Sequence, residues 1–533
     1  MLKEPSRTEA PNQADPSSRR WWILAVMSIG VLIVFIDNTV VNTALPAISV
    51  DLGASISQLQ WVVNSYTLVL AGLLLLGGSL GDLYGRRKWM TIGLVLFGAA
   101  ATGAAFATNI ETLIAMRAAQ GLGAALVLPG TLSIITNVFP RGERAKAIGI
   151  WTAVGALGIG LGPVLGGYLV DQFSWSAVFL IHIPIILAAL AGLLIVPESS
   201  DERGLRLDIP GAILGTTGIV ALVFGIIRGG EAGWTSPEVI VAFAIAIVVL
   251  SAFAFVEVRS DAPMLPLKFF RQKDFTGAVL VIGVIMFAMF VSFFFLTQYF
   301  QIVQGRSALQ AGLLIVPTSV AMMISAPISG KVMSTIGPRY LVLAMSGAML
   351  TGILLLTQIG VDSSVLSVIV PLMVFGLGAG LGMPALTDTV MAAVPEADAG
   401  VGSAVNDVSR ELGGALGIAI IGSIVSIFYR SNINDAIEGT LPADVVELAR
   451  EGVGVASVIA RSLPEDLAVA LTEASNVAFV DAMTTGFAMS AVVLLGAVVV
   501  AFTLIPRSMR ESQAVLEPDD GSPSPQPVDA LAR

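Results

Sequence analysis

Fourteen stretches of this 533-residue chain are apolar over close to the ~20 residues a helix needs to cross the hydrocarbon core of a bilayer. They fall at about 22–45, 58–80, 89–107, 112–137, 147–170, 177–196, 209–228, 238–257, 275–299, 309–332, 339–359, 365–391, 400–428 and 479–505. Inside lipid no water is available to backbone N–H and C=O groups, so a spanning segment must satisfy its own, as a helix does. Hydrophobic residues make up 55% of the chain and charged residues 12%, with a mean hydropathy of +0.87. The sequence therefore predicts an all-α polytopic membrane protein. Its first apolar stretch is too long for a signal-peptide core and carries Asp37, which makes it a retained span.

Charge asymmetry orients these spans. With the N-terminus in the cytoplasm, 21 of the 28 Lys and Arg residues fall on cytoplasmic segments, as the positive-inside rule requires. The even count places both termini on that side. The net charge of −10 gathers in two places. One is the outer loop 429–478, with eight acids against three basic residues. The other is the tail around Glu517, Asp519 and Asp520. Within the loop, Ala443 to Val453 and Glu465 to Ala474 have helical patterns that suit a small amphipathic cap. The chain has no Cys and one His, so disulfides and thiolate metal sites are ruled out and no metal cluster is expected.

An internal repeat divides the chain. Between spans two and three it reads Gly78-Ser79-Leu80-Gly81-Asp82-Leu83-Tyr84-Gly85-Arg86-Arg87-Lys88. Between spans ten and eleven a worn copy has Gly330-Lys331 and then Gly337-Pro338-Arg339, with Ser334 in the place of Asp82. Two such loops in corresponding places imply two six-helix halves, provided spans seven and eight are an insertion between them. The expected organisation is a disordered cytoplasmic lead (1–20), a six-helix bundle (21–200), two inserted helices (201–260), a second six-helix bundle (261–510) carrying the loop 429–478, and a disordered cytoplasmic tail (511–533).

Span five is rich in Gly: residues 158 to 167 read Gly-Ile-Gly-Leu-Gly-Pro-Val-Leu-Gly-Gly. In water this composition would ruin a helix, whereas in a membrane small residues let two backbones approach closely. Gly158, Gly162, Pro163, Leu165, Gly166 and Gly167 fit G-x-x-x-G-P-x-L-G-G, which resembles the fifth-helix motif of antiporters in the major facilitator superfamily. A plain small-residue packing face is the simpler reading of the same string. The resemblance extends over nearly the whole chain and is closest to the fourteen-helix drug:proton antiporter branch (EmrB/QacA-like). Asp37-Asn38-Thr39-Val40-Val41-Asn42-Thr43-Ala44-Leu45-Pro46 is similar to the first-helix signature D-x-T-V-x-N-x-A-L-P. Arg117, Gln120, Gly121 and Gly123 resemble the fourth-helix R-x-x-Q-G-x-G, and Gly413-Gly414-Ala415-Leu416-Gly417 the thirteenth helix. Helix six departs from the pattern, with His182 where an Asn is usual.

Charges inside a bilayer cost a few kcal/mol each and are functional candidates by default. Asp37 on span one and Arg117 on span four lie at similar depth, about 8–12 Å below the outer surface at ~1.5 Å per residue. Apolar surroundings favour the protonated acid and a nearby guanidinium favours the carboxylate, so such a pair can load and release a proton. A fixed structural ion pair is the rival. The resemblance independently implies proton coupling at Asp37 and Arg117. His182 is either a proton relay or a packing hydrogen bond. On span thirteen, Asp407 and Glu411 share a face with Arg410 beside them, so one acid is left to be protonated or to meet water or a cation. A structural ion-pair cluster is the alternative there. The resemblance assigns gating to the loop Gly78, Asp82, Gly85, Arg86 and Arg87, with Asp82 locking the halves through helix eleven when the outer side is open. It also assigns gating to Gly158, Gly162, Pro163, Gly166 and Gly167. Asn42, Trp61, Asn64, Tyr66, Phe294, Gln298 and Gln301 are candidate cavity residues for a lipophilic cation.

No G-x-x-x-x-G-K-[ST] is present and no soluble segment is long enough for a catalytic domain, so neither a P-loop pump nor an enzyme is expected. The expectation is a secondary efflux transporter in a bacterial plasma membrane. It would exchange protons for a small amphipathic, cationic compound, as a monomer among lipids, without cofactor, metal or nucleic acid. Export of a dedicated metabolite, antibiotic or lipid is the alternative, and a non-transporting sensor using the acidic loop a third.

Overall fold

The computed structural model describes residues 16–139, 141–200, 208–260, 263, 267–394, 399–437 and 441–507, and all regular structure there is helical. The first half comprises α1 (Pro16–Leu52), α2 (Ile56–Tyr84), α3 (Arg86–Ala105), α4 (Ile110–Val138), α5 (Arg141–Gln172), α6 (Ala177–Leu180) and α7 (His182–Leu193). Next come α8 (Ile209–Ala232) and α9 (Pro237–Arg259). The second half holds α10 (Lys273–Gln298), α11 (Ala308–Ile336), α12 (Pro338–Leu356), α13 (Val365–Ala392), α14 (Ala399–Ile437), α15 (Ala443–Ala449), α16 (Val453–Ala460) and α17 (Glu465–Leu504).

Among the described residues twelve helices are long and apolar enough to cross a membrane. The other two expected spans are present as α5, of 32 residues, and as the apolar stretch Ala177–Leu193, which breaks into α6 and α7 at Ile181. The chain is a multi-pass membrane protein.

Three boundaries differ from expectation. Residues 16–20 are helical, because α1 begins at Pro16 instead of after a disordered lead. The loop expected at 429–478 is shorter, since α14 runs on to Ile437 and the Glu465–Ala474 patch is the first part of the 40-residue α17. Once an apolar span is helical, extending it adds a hydrogen bond for each residue fixed, so it runs on into adjoining polar residues, which hydropathy alone does not see. Residues 1–15 of the lead and the tail 511–533 lie outside the described residues.

The halves are built alike. α2 and α11 each have 29 residues and each starts from a capping box, Ser55 with Gln58 and Ser307 with Gln310. Each ends at a glycine of positive φ, Gly85 at 109° and Gly337 at 82°, a region an L side chain occupies only with strain. The following arginine then reaches the end of its own half. Arg87 Nη1 donates to Val196 O at 3.1 Å, and Arg339 Nε to Ile505 O at 2.7 Å. The repeat read in the sequence is thus a repeated helix–turn–helix, pinned in both halves to the chain that follows the last helix.

Packing respects the division. α1 to α7 pack on one another, as do α10 to α14 with α17, and the halves meet along two seams, α5 with α11 and α2 with α14. The inserted pair leans on the second seam: α8 packs on both α2 and α14, while α9 packs on α8 and is mostly exposed. Leu68, Val223, Ile227, Ala415 and Ala419 form a small apolar core where α2, α8 and α14 meet.

Candidate functional site

The glycines of α5 fall on two faces. Gly158, Gly162 and Gly166 recur every four residues and lie on α1, where an added Cβ would strike Phe35, Thr39 and Thr43 respectively. Thr39 and Thr43 turn their hydroxyls onto α1 carbonyls, to Ile36 O at 3.2 Å and Val40 O at 2.6 Å, so no polar group is stranded at this contact. Gly167 instead meets the backbone of Ala308 and Leu309, and Pro163 the bare Cα of Gly312. One helix thus packs against its own half with one stripe and against the other half with the next. The Asp171 carboxylate completes that seam by accepting from Ala308 N at 2.9 Å and Leu309 N at 3.0 Å, capping α11.

This end of the molecule, where α1 finishes and α2 begins, is closed in three further ways. Gln301 Nε2, in the π-turn Tyr299–Val303 after α10, donates to Thr43 O at 2.9 Å. Ile56 N donates to Glu451 O at 3.2 Å, tying the α15–α16 turn to the start of α2. Gly454 of α16 sits on Ser49. Tyr429 anchors this cap by donating to Ala449 O at 3.1 Å while its hydroxyl lies 3.0 Å from Ser475 Oγ. A surface cavity of about 300 Å³ opens beside the cap. Its acids are largely engaged, as Arg430 pairs with Glu451 at 3.7 Å and Arg450 with Glu447 at 2.8 Å.

The two charges that the sequence places at similar depth do meet. Arg117 Nη1 lies 2.6 Å from Asp37 Oδ2, with both side chains buried. The remaining guanidinium contacts are also made: Nε donates to Val62 O at 3.1 Å, Nη1 to Gln120 Oε1 at 3.1 Å, and the Tyr66 ring lies 4.3 Å from Cζ. Gln120 Nε2 donates to the other oxygen of Asp37 at 3.4 Å. His182, the first residue of α7, brings Nε2 to 3.6 Å from that same oxygen. Its Nδ1 lies 3.1 Å from Phe179 O, and Phe97 packs on its ring. α4 and α7 therefore meet the Asp37 carboxylate of α1, while α2 reaches the paired guanidinium. Desolvated charges survive here because each has a partner.

Glu411 on α14 is the second focus. Asn38 Nδ2, next to Asp37 on α1, donates to Glu411 Oε1 at 3.4 Å, so the two acids are linked across the halves through adjacent residues. Asp407 accepts from Asn406 Nδ2 at 3.3 Å. Among the described residues Arg410 makes no ion-pair contact with Asp407 or Glu411, yet it is near enough for its charge to act on both acids. On α14 it lies a quarter-turn from Glu411, towards the side that packs on α10.

The loop from Gly78 to Lys88 makes its contacts within its own half. Asp82 pairs with Arg86 at 2.7 Å, and Glu198 accepts from Arg87 N at 3.0 Å and Lys88 N at 3.2 Å, capping α3. Gly78 lies on Pro129 of α4.

The proposed cavity residues scatter. Trp61 lies against Phe224 of α8, with ring centroids 6.2 Å apart. Phe294 stacks edge-on with Phe295, and Gln298 Nε2 bonds to Phe294 O at 3.3 Å on its own helix. Tyr66 belongs to the Arg117 site. Asn42 donates to Asn38 O at 2.9 Å, while Asn64 is buried with no side-chain hydrogen bond among the described residues. Helical spacing says which residues share a face but not which neighbour that face meets, so only the structure separates these roles. Asn38, Asp171 and Glu198 were not singled out from the sequence. For Asp171 the available signal was its place at the end of α5, and for Glu198 its place just after α7.

Residues 27–418 match the Major Facilitator Superfamily. The chain is 36% identical over 424 residues to the multidrug resistance protein Stp of Mycobacterium tuberculosis, covering 79% of each. It is 35% identical over 503 residues to the multidrug efflux pump LfrA of Mycolicibacterium smegmatis, covering 93% of this chain and 97% of that one. Among solved structures, a bacterial homologue of the human lysosomal transporter Spinster, inward-facing and unoccupied, aligns with a TM-score of 0.62 at 15% identity. That alignment covers 91% of this chain and 98% of the other, and the likeness is one of fold.

Proposed function

The chain belongs to the Major Facilitator Superfamily, a family of transporters, and from that premise we propose that it is a proton-coupled exporter of amphipathic cations in the fourteen-helix drug:proton branch. The observation that carries this reading is the buried Asp37–Arg117 pair with His182 at the second carboxylate oxygen. A proton arriving at Asp37 removes the charge that holds Arg117. The guanidinium then keeps Val62 O, Gln120 and the Tyr66 face, and α1 is released from α4. Because Asn38 follows Asp37 on α1, the same movement disturbs its bond to Glu411 in the opposite half.

Protonation state is thereby linked to the relation between the halves, which is what coupling requires. The glycine face of α5 on α1 holds the first half together, and its second face on α11 is a surface on which the halves rock. The capped end is the outer end and the chain termini are cytoplasmic, in keeping with the Lys and Arg distribution. Stp is a multidrug resistance protein and LfrA a multidrug efflux pump, which supports a drug-like cargo.

The test is purified protein in liposomes with an imposed pH gradient, following ethidium beside a pH dye. Gradient-driven movement lost in Asp37→Asn is the expected result. Full pH-driven transport by that variant sinks the coupling role.

A further inference from the structure

The two seams between the halves are related by the repeat, yet they are chemically unlike. The repeat that takes Gly85 to Gly337 takes Gln60 to Gly312 and Asn64 to Val316. At the α5–α11 seam, Gly312 lies directly on the backbone of Pro163. At the α2–α14 seam, the equivalent place holds the carboxamide of Gln60, fully buried and laid on Gly422 so closely that any Cβ there would collide with it. One turn along the same face of α2 is Asn64, also fully buried. Among the described residues none of the four side-chain polar atoms of Gln60 and Asn64 has a hydrogen-bond partner.

Burying an amide group without a partner costs about 1–3 kcal/mol. The equivalent positions of α11 show that the fold packs this seam with Gly and Val, so carboxamides are not demanded by helix contact. Gly422 lies eleven residues beyond Glu411 on α14, about three turns and roughly 16 Å along the same face. The carboxamides therefore stand above the acid, towards the capped end, and Leu68 with its α8 and α14 neighbours closes the flank beside them.

We propose that Gln60 and Asn64 form a subsite for an uncharged hydrogen-bonding group of the cargo, a carbonyl or hydroxyl, while its cationic end lies towards Glu411. The proposal rests on the exporter reading and adds a chemical preference to it. Two adjacent carboxamides offer donors and acceptors but no charge, so they discriminate among cations by what else the cation carries. A seam that must loosen during exchange is also where such groups can meet a cargo.

The test uses the full-length protein in liposomes under a pH gradient, with Gln60→Met, Asn64→Leu and the double variant. Two cations serve as probes: tetraphenylphosphonium, which has no hydrogen-bonding group, and doxorubicin, which has carbonyls and hydroxyls. The expected result is a KM for doxorubicin that rises about tenfold more than that for tetraphenylphosphonium, equivalent to losing about 1.4 kcal/mol of binding. The cargo-free thermal midpoint should hold or rise, because apolar groups replace unbonded polar ones. Equal loss of both cations means a water-filled polar path and overturns the subsite, as does no loss of either. A lower cargo-free midpoint means that the carboxamides are bonded in the resting protein, which also overturns it. Folded wild-type protein that moves neither cation overturns the exporter reading itself and this proposal with it.

Discussion

Asn38 on α1 and Glu411 on α14 are joined by a hydrogen bond of 3.4 Å, and Asn38 is the residue that follows the Arg117-bound Asp37. The acid of the first half and the acid of the second thus share one short stretch of helix. A rotation of α1 that loosens either partner is felt at the other.

Removing the charge at Asp37 leaves the Arg117 guanidinium buried without its counter-ion. Breaking one side of a buried pair costs about 3–5 kcal/mol, whereas replacing both sides by apolar groups is often close to neutral. Asp37→Asn should therefore lower stability in detergent by about that amount, and Asp37→Leu/Arg117→Met should recover most of it. Thermal or chemical unfolding followed by tryptophan fluorescence checks the pair. Equal stability of all three proteins would mean that the ion pair contributes nothing to the fold.

Gly162 faces Thr39 at the α5–α1 contact, where an Ala Cβ would collide with the hydroxyl and lie 3.3 Å from Ile36 O. Overpacking of this kind costs about 1–3 kcal/mol. Gly162→Ala should reduce export severalfold, and Thr39→Gly in the same chain should restore part of it. Gly347→Ala on α12, where nothing lies within 4 Å, serves as the control with unchanged activity. Transport rates in liposomes, normalised to incorporated protein, decide the matter.

Asp171 holds the α5–α11 seam shut by capping α11 from the other half. Asp171→Ala removes a cap worth about 1 kcal/mol, a roughly fivefold change in the ratio of closed to open forms at this end. Spin labels placed on the α1–α2 and α15–α16 turns should report a longer distance population in the variant. An unchanged distance distribution would show that the cap on α2, not this carboxylate, governs closure.

Gly85 and Gly337 turn the chain between consecutive helices at φ of 109° and 82°. An Ala at either position, at positive φ with extended ψ, carries a strain of about 1–3 kcal/mol. At Gly85 it also meets the Glu198 carboxyl carbon at 2.9 Å, which pushes the cap of α3 away. Both variants should unfold at lower temperature than the parent, and Gly85→Ala should lose amide protection at Arg87 and Lys88 in hydrogen exchange.

Local rules were enough to read an all-helical polytopic chain, its two-half organisation and the Gly85/Gly337 turns. An apolar run of ~20 residues has one way to satisfy its backbone in lipid, and a tight helix–helix turn has one residue type that suits it. The pairing of Asp37 with Arg117 was legible too, since depth follows from counting residues along a helix. Counting along a helix does not give the direction in which a face looks or which helix stands opposite. Tertiary structure alone decided that His182 reaches Asp37 and that Asn38 finds Glu411. It alone turned Trp61 towards α8 and set Gln60 against Gly422. Those outcomes depend on how helices distant in sequence are rotated and paired, a choice made by the packing of all the helices together rather than by any segment.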